Sequence, residues 1–304
     1  MNEALSKSHV SLSGYLEIVS ELYEDDELEV ALQAANDAFK ASGWPEGEWT
    51  GFYNQLVCEY DARQASDRHD LNSKLSIELS RGASRETHRW VESASVEAFE
   101  QTQRLLRMEF VRPVMVTVFV PDAAVDFIHG EHGYAAHKTH LDKICIPWSA
   151  IQSHEICLSV LRHEFCHVAQ HHLAMGKSIP DWLAEGLAMY AGERQTHEEC
   201  RRLIVSDGRF KRLLSTDHMT GALGSAKLRK DDPELVHAAY AFAASIVDWW
   251  IEQQGIEGVR NALARIGDGQ SPEHAIAAAA KASIRRMEHE WSRWLLDLPY
   301  QALA

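Results

Sequence analysis

Over residues 1–110 the apolar positions recur every three or four residues, the interval that keeps them on one face of a helix. Leu16, Val19, Leu22 and Tyr23 form one series. Leu28, Ala31, Leu32, Ala35 and Phe39 form a second, ended by Gly43 and the turn Trp44-Pro45-Glu46-Gly47. A third helix is expected from Glu48 through Phe52, Leu56 and Tyr60, and the spacing of Leu71, Leu75 and Leu79 continues the helical reading up to Gly82. Glu86 to Met108 predicts a long amphipathic helix carrying Trp90, Val91, Ala94, Ala98, Leu105 and Leu106. No fixed period repeats three times, so a solenoid is not expected.

Near Val111 the pattern changes. Val114 to Val120 is apolar and β-branched without interruption between Pro113 and Pro121, which predicts a buried strand. Gly130 to Thr139 reads as a loop. Lys143-Ile144-Cys145-Ile146-Pro147 reads as a second short strand that ends at Pro147 or lies at a sheet edge. The helical spacing then returns. It predicts a helix from a Ser153 cap to a stop at Gly176 and another opening at Pro180-Asp181. Further helices are expected over Leu235 to Trp250, Gly258 to Ile266, Ser271-Pro272 to Ala280, and Arg285 to Leu296. The expected fold class is α+β, predominantly α, with a small sheet packed on the helix that follows it and helical regions at both ends.

Composition alters this picture little. The chain has 304 residues, 45% hydrophobic and 25% charged, as expected of an ordinary globular protein. Forty-five acids against 30 bases give a net charge of −15, which argues against nucleic acid and anionic membranes as partners. Five cysteines at no framework spacing read as free thiols in a reducing compartment. With no apolar leader in the first 14 residues, a cytoplasmic location is expected.

The chemistry concentrates in His163-Glu164-Phe165-Cys166-His167. Residues four apart lie one turn apart on one helix face, so His163 and His167 can offer two imidazoles to one metal ion. Glu164 is turned by about 100° and stands beside such an ion, where a base for its water would be. Short patterns of this kind also occur in ordinary helices. A catalytic zinc takes three protein ligands. The metzincin continuation needs a glycine at position 170 and a histidine at 173, and the chain has Gln170 and Leu173. Glu185, on the next helix, is the alternative. The small residues Ala184, Gly186 and Ala188 around it are expected to let that helix lie close against the histidine helix. His171 and His172 read as solvated residues near a helix end, Cys166 as a small buried residue, and His129, His132, His137 and His140 as exposed loop residues.

His163 to His167, followed by Pro180-Asp181-Trp182-Leu183-Ala184-Glu185-Gly186-Leu187-Ala188-Met189-Tyr190, resembles the gluzincin zinc metallopeptidases of the thermolysin-like clan. It is most similar to small bacterial members with a Trp-Leu-x-Glu-Gly second helix, over residues 111–280. The resemblance implies Zn2+ held by His163, His167 and Glu185. It also implies a water activated by the metal, Glu164 as general base and proton shuttle, and a peptide or protein substrate. Family members place a Tyr or His on a later helix to steady the oxyanion. Tyr240 is the candidate here and His237 the second choice, although Tyr240 reads equally as a core aromatic. By family analogy, a peptide would add as a strand along Lys143 to Ile146. One departure stands out. Thermolysin carries an acid one turn after its zinc glutamate to orient a histidine, and this chain has Met189 there.

The implied organisation is a helical region over 1–110, a zinc peptidase core over 111–232 and a helical subdomain over 233–304. The first region is a candidate docking surface for a protein partner. Two other functions are compatible with the motifs: a catalytically silent zinc module, which has no need of Glu164, and a zinc amidohydrolase acting on a non-peptide amide.

Overall fold

The computed structural model describes residues 12–42, 48–119, 133–192 and 233–297. The fold is α+β and predominantly helical, with one five-stranded sheet. It divides into two compact units, residues 1–96 with 112–160, and residues 97–111 with 161–304. None of the described helices is long and apolar enough to cross a membrane.

The first unit contains α1 (Leu12–Glu24), α2 (Leu28–Ser42) and α3 (Glu48–Gln64), close to the ranges that the apolar spacing predicts. Leu16, Val19, Leu28, Ala31, Ala35, Phe39 and Leu56 meet in their core. The sheet follows in the order β1 (Ser66–Asp70), β2 (Leu75–Ser80), β3 (Val114–Val118), β5 (Asp142–Ile146), β4 (Tyr134–His137). β2, β3 and β5 are parallel, and β1 and β4 are antiparallel edges. Parallel neighbours need a long crossover, and α4 (Arg85–Leu106) lies in the connection from β2 to β3.

Three expectations change here. Residues 66–80 form a hairpin, where helix was expected. Leu71, Leu75 and Leu79 fit a helical interval, but Leu75, Ile77 and Leu79 also alternate with Ser76, Glu78 and Ser80, and the period of two wins. Residues 134–137 are a strand and not loop. As a result β5 is not an edge. β3 and β4 occupy its two sides in registers that pair Val116 with Ile144 and Ala135 with Ile144, so no added peptide can pair along Lys143 to Ile146.

A buried charge network ties this unit together. Glu59 on α3 and Lys143 on β5 meet at 2.8 Å, both with fully buried side chains. Glu59 also accepts from the Tyr134 hydroxyl at 2.6 Å, from Gln55 at 3.2 Å, and from the Tyr23 hydroxyl. Arg63 bridges Asp26 at 2.7 Å and Glu78 at 3.1 Å, and Thr117 donates to Glu78 at 2.9 Å. Burial pushes the Glu59 carboxyl up, but the charges of Lys143 and Lys138 and the hydrogen bonds from Lys143 and Tyr134 outweigh it and hold it at about 2.

The second unit is helical. It holds most of α5 (His154–Leu173), then α6 (Asp181–Gly192), α7 (Pro233–Gln254), α8 (Ile256–Gly267), α9 (Pro272–Ala280) and α10 (Ile284–Asp297). Ser271 caps α9 by accepting from the His274 N–H, with Pro272 in the first turn, as the sequence predicts. Residues 193–232 lie outside the described residues.

Removing Lys143 takes from the buried Glu59 carboxylate the cation that meets it at 2.8 Å. Lys143→Met is therefore expected to cost about 3–5 kcal/mol of stability at pH 7, read from a denaturant titration. The acid response follows from the sign of the Glu59 shift. A depressed carboxyl stabilises the fold fully above the ordinary value of 4.5, and that stability is lost as pH falls through about 2. In Lys143→Met the acid transition should move to higher pH. An unchanged acid midpoint by circular dichroism would show that the pair does not govern it.

Candidate metal centre

Helix α5 presents two faces. At about 100° per residue, His163, His167 and Gln170 fall on one stripe, and Phe165 and His172 lie on the opposite side. The aromatic side is packed. Phe165 lies edge-on to Phe99 at 5.7 Å and 5.9 Å from Phe110, and Phe110 meets the His172 ring at 5.8 Å. His172 Nδ1 also accepts the Val111 N–H at 3.4 Å. His172 is thus a packed residue and not merely a solvated one.

Both helix ends follow the sequence. The Ser153 hydroxyl accepts the Ile156 N–H at 3.2 Å, and Glu155 sits in the first turn. At the far end the Met175 N–H bonds the His172 carbonyl and the Gly176 N–H bonds the His171 carbonyl. The left-handed conformation falls on Met175 (φ 49°) as well as on Gly176 (φ 74°).

Helix α6 brings in the third group. Trp182, Leu183, Leu187 and Ala188 are buried. Gly186 permits a close approach, but to α7 and not to α5. A Cβ there would fall inside contact distance of the Ala243 carbonyl and lie 2.8 Å from Val247 Cγ2. Gly186 is about 100° around the helix from Glu185, so the two cannot face the same neighbour. The contact of α6 with α5 runs instead through Gln170, which donates to the Ala184 carbonyl at 2.9 Å.

The three candidate ligands converge. His163 Nε2 and His167 Nε2 are 3.1 Å apart, and Glu185 Oε2 lies 3.5 Å from the first and 3.4 Å from the second. Tetrahedral zinc with ligand bonds of about 2.0–2.1 Å separates its ligands by about 3.3 Å, so these three atoms fit one ion. Glu164 stands outside this triangle. It is 2% exposed, and its Oε2 is buried with no hydrogen-bond partner among the described residues. Burial pushes the Glu164 carboxyl up to about 7, with His167 lowering it and Glu185 raising it further. Tyr240 on α7 is half-buried, and its phenol is raised by burial and then by Glu185, Asp181 and Glu164. That places the hydroxyl in the field of the same carboxylates.

A model of the Peptidase MA superfamily matches residues 139–297. The chain belongs to the Peptidase MA superfamily. No curated protein and no solved structure matches it. The superfamily segment is just over half of the chain and contains His163, Glu164, His167, Glu185 and Tyr240.

The remaining histidines separate from this centre. His137 lies on β4 and pairs with buried Asp142 at 2.8 Å, and His140 is exposed. His129 and His132 lie outside the described residues, as does the side chain of His237. Cys166 is fully buried, as its place on the helix suggests. Sequence reasoning treated Gln170 only as a break in the metzincin pattern. The signal that marks it is a polar residue on the histidine stripe, three positions beyond His167.

Gly186→Ala is expected to push α6 from α7 and cost about 1–3 kcal/mol. A denaturant midpoint equal to that of the parent protein would show that the Ala243 contact yields freely.

Proposed function

We propose that this Peptidase MA member is a zinc-dependent, gluzincin-type peptidase, with His163, His167 and Glu185 as metal ligands and Glu164 as general base. One observation carries the proposal: two imidazole nitrogens and a carboxylate oxygen meet within 3.5 Å of one another beside a buried carboxylate that has no hydrogen-bond partner among the described residues. Zinc, when bound, supplies Lewis acidity that makes a water acidic enough to attack near neutral pH.

The chain's own residues account for the proton. Glu164 takes it from the attacking water as the water oxygen bonds to the carbonyl carbon of the substrate. When the C–N bond breaks, the same carboxyl returns the proton to the leaving nitrogen. A carboxyl raised by burial suits both steps, because it neither holds the proton too weakly nor releases it too reluctantly at neutral pH. The Tyr240 hydroxyl donates to the oxygen that becomes negative during attack. The burial that raises its pKa keeps it protonated, as a donor must be.

Two variants test the assignment. Glu164→Gln is expected to retain stoichiometric zinc and to lose about 10²–10⁴ of the cleavage rate on a peptide library. Glu185→Ala should lose zinc in a chelator competition. Undiminished cleavage by the first variant would sink the role of Glu164, and undiminished metal content in the second would sink the ligand set. Zinc binding without cleavage of any peptide would favour the silent module or a non-peptide amide as substrate.

A further inference from the structure

Resting on the metal reading of His163, His167 and Glu185, we propose that Gln170 is a positioning residue that sets the third ligand, by fixing the peptide unit from which Glu185 projects. Gln170 is 1% exposed and lies on the histidine stripe of α5. Its Nε2 donates to the Ala184 carbonyl at 2.9 Å and to Cys166 Sγ at 3.3 Å. The Ala184 carbonyl carbon is bonded to the nitrogen of Glu185. A hydrogen bond to that carbonyl therefore constrains the peptide plane at the base of the Glu185 side chain. A single side chain thus joins the helix face that carries both imidazoles to the backbone that carries the carboxylate.

The orientation of the amide follows from its partner. A carbonyl can only accept, so the NH2 group must face Ala184 and Oε1 must point the other way. There Oε1 is buried with no hydrogen-bond partner among the described residues. An unsatisfied buried carbonyl works against folding. The Ala184 carbonyl, inside α6, also accepts along its own helix and does not require Gln170 to be satisfied. A methionine of similar length would fill the same space without the unpaired oxygen. The fold alone thus gives little reason for an amide at this position, whereas holding Glu185 within reach of both histidines does.

Residues that orient metal ligands typically contribute about 10–100-fold in affinity. The test uses the full chain stripped of metal. Zn(II) affinity is measured against a chromophoric chelator, and Co(II) is bound as a spectroscopic reporter of ligand geometry. Gln170→Met is the principal variant. Gln170→Asn keeps the amide but is one methylene too short to reach Ala184, and it serves as well if the first variant does not fold. The expectation is a cooperative thermal transition for the apo protein, Zn(II) affinity weaker by about 10–100-fold in both variants, and a changed Co(II) d–d spectrum. Parental affinity and spectrum in the variants, with the parent protein binding one metal, would overturn the role of Gln170 and leave the metal site standing. A parent protein that binds no zinc would overturn the metal reading itself, and this proposal with it.

Discussion

Two imidazoles and a carboxylate can be held about 3.4 Å apart only if the elements carrying them are fixed to a fraction of an ångström. Half of this constraint is met by covalent geometry, because His163 and His167 are one turn apart on one helix. The other half is tertiary. Glu185 arrives on α6, whose position is set on one side by the backbone contact of Gly186 with Ala243 and on another by Gln170. The rotation of α5 is set from behind, by Phe99, Phe110 and Phe165. The aromatic side of α5 is packed by three phenylalanines, and the opposite stripe carries both imidazoles.

The first unit solves a different problem with similar means. Its sheet has three parallel strands that are buried, yet β5 carries Lys143 and β2 carries Glu78 into the interior. Each charge is tolerated because partners are held at hydrogen-bond distance: Glu59 for Lys143, Arg63 and Thr117 for Glu78. Such pairs add little net stability over an apolar core, but they penalise wrong arrangements heavily. A sheet with a shifted register would leave Lys143 facing no carboxylate.

Legibility in the sequence follows the range of the interactions. His163, Glu164 and His167 could be read because their relation is local to one helix. Ser153 and Gly176 could be read because caps are local too. β3 was legible as an uninterrupted apolar run, as a strand with neighbours on both sides should be. β2 was not, because leucines four apart satisfy a helix as well as they satisfy a strand with polar residues between. β4 was hidden because Tyr-Ala-Ala-His has little strand character, and without β4 the strand β5 reads as an edge. The direction in which Gly186 faces depends on α7, more than fifty residues later in the chain. Gln170 is marked locally only as a polar residue on the histidine stripe, and its partner cannot be read from sequence because it is a backbone carbonyl that any residue would supply.

The Glu59–Lys143 pair also sets an order of events during synthesis. Its members are 84 positions apart, so at about 5–20 residues per second a nascent chain carries Glu59 for roughly 4–17 s before Lys143 exists. Through that interval Glu59 lacks the lysine that pairs with it in the fold, and β2 has no parallel neighbour until residue 114 is made. The first three helices have an apolar core of their own, made from Leu16 to Leu56, so they can assemble before the buried Glu59 site is complete. The Glu59 site gains Tyr134 and Lys143 only when β4 and β5 have been made, just ahead of the helix that carries the histidines.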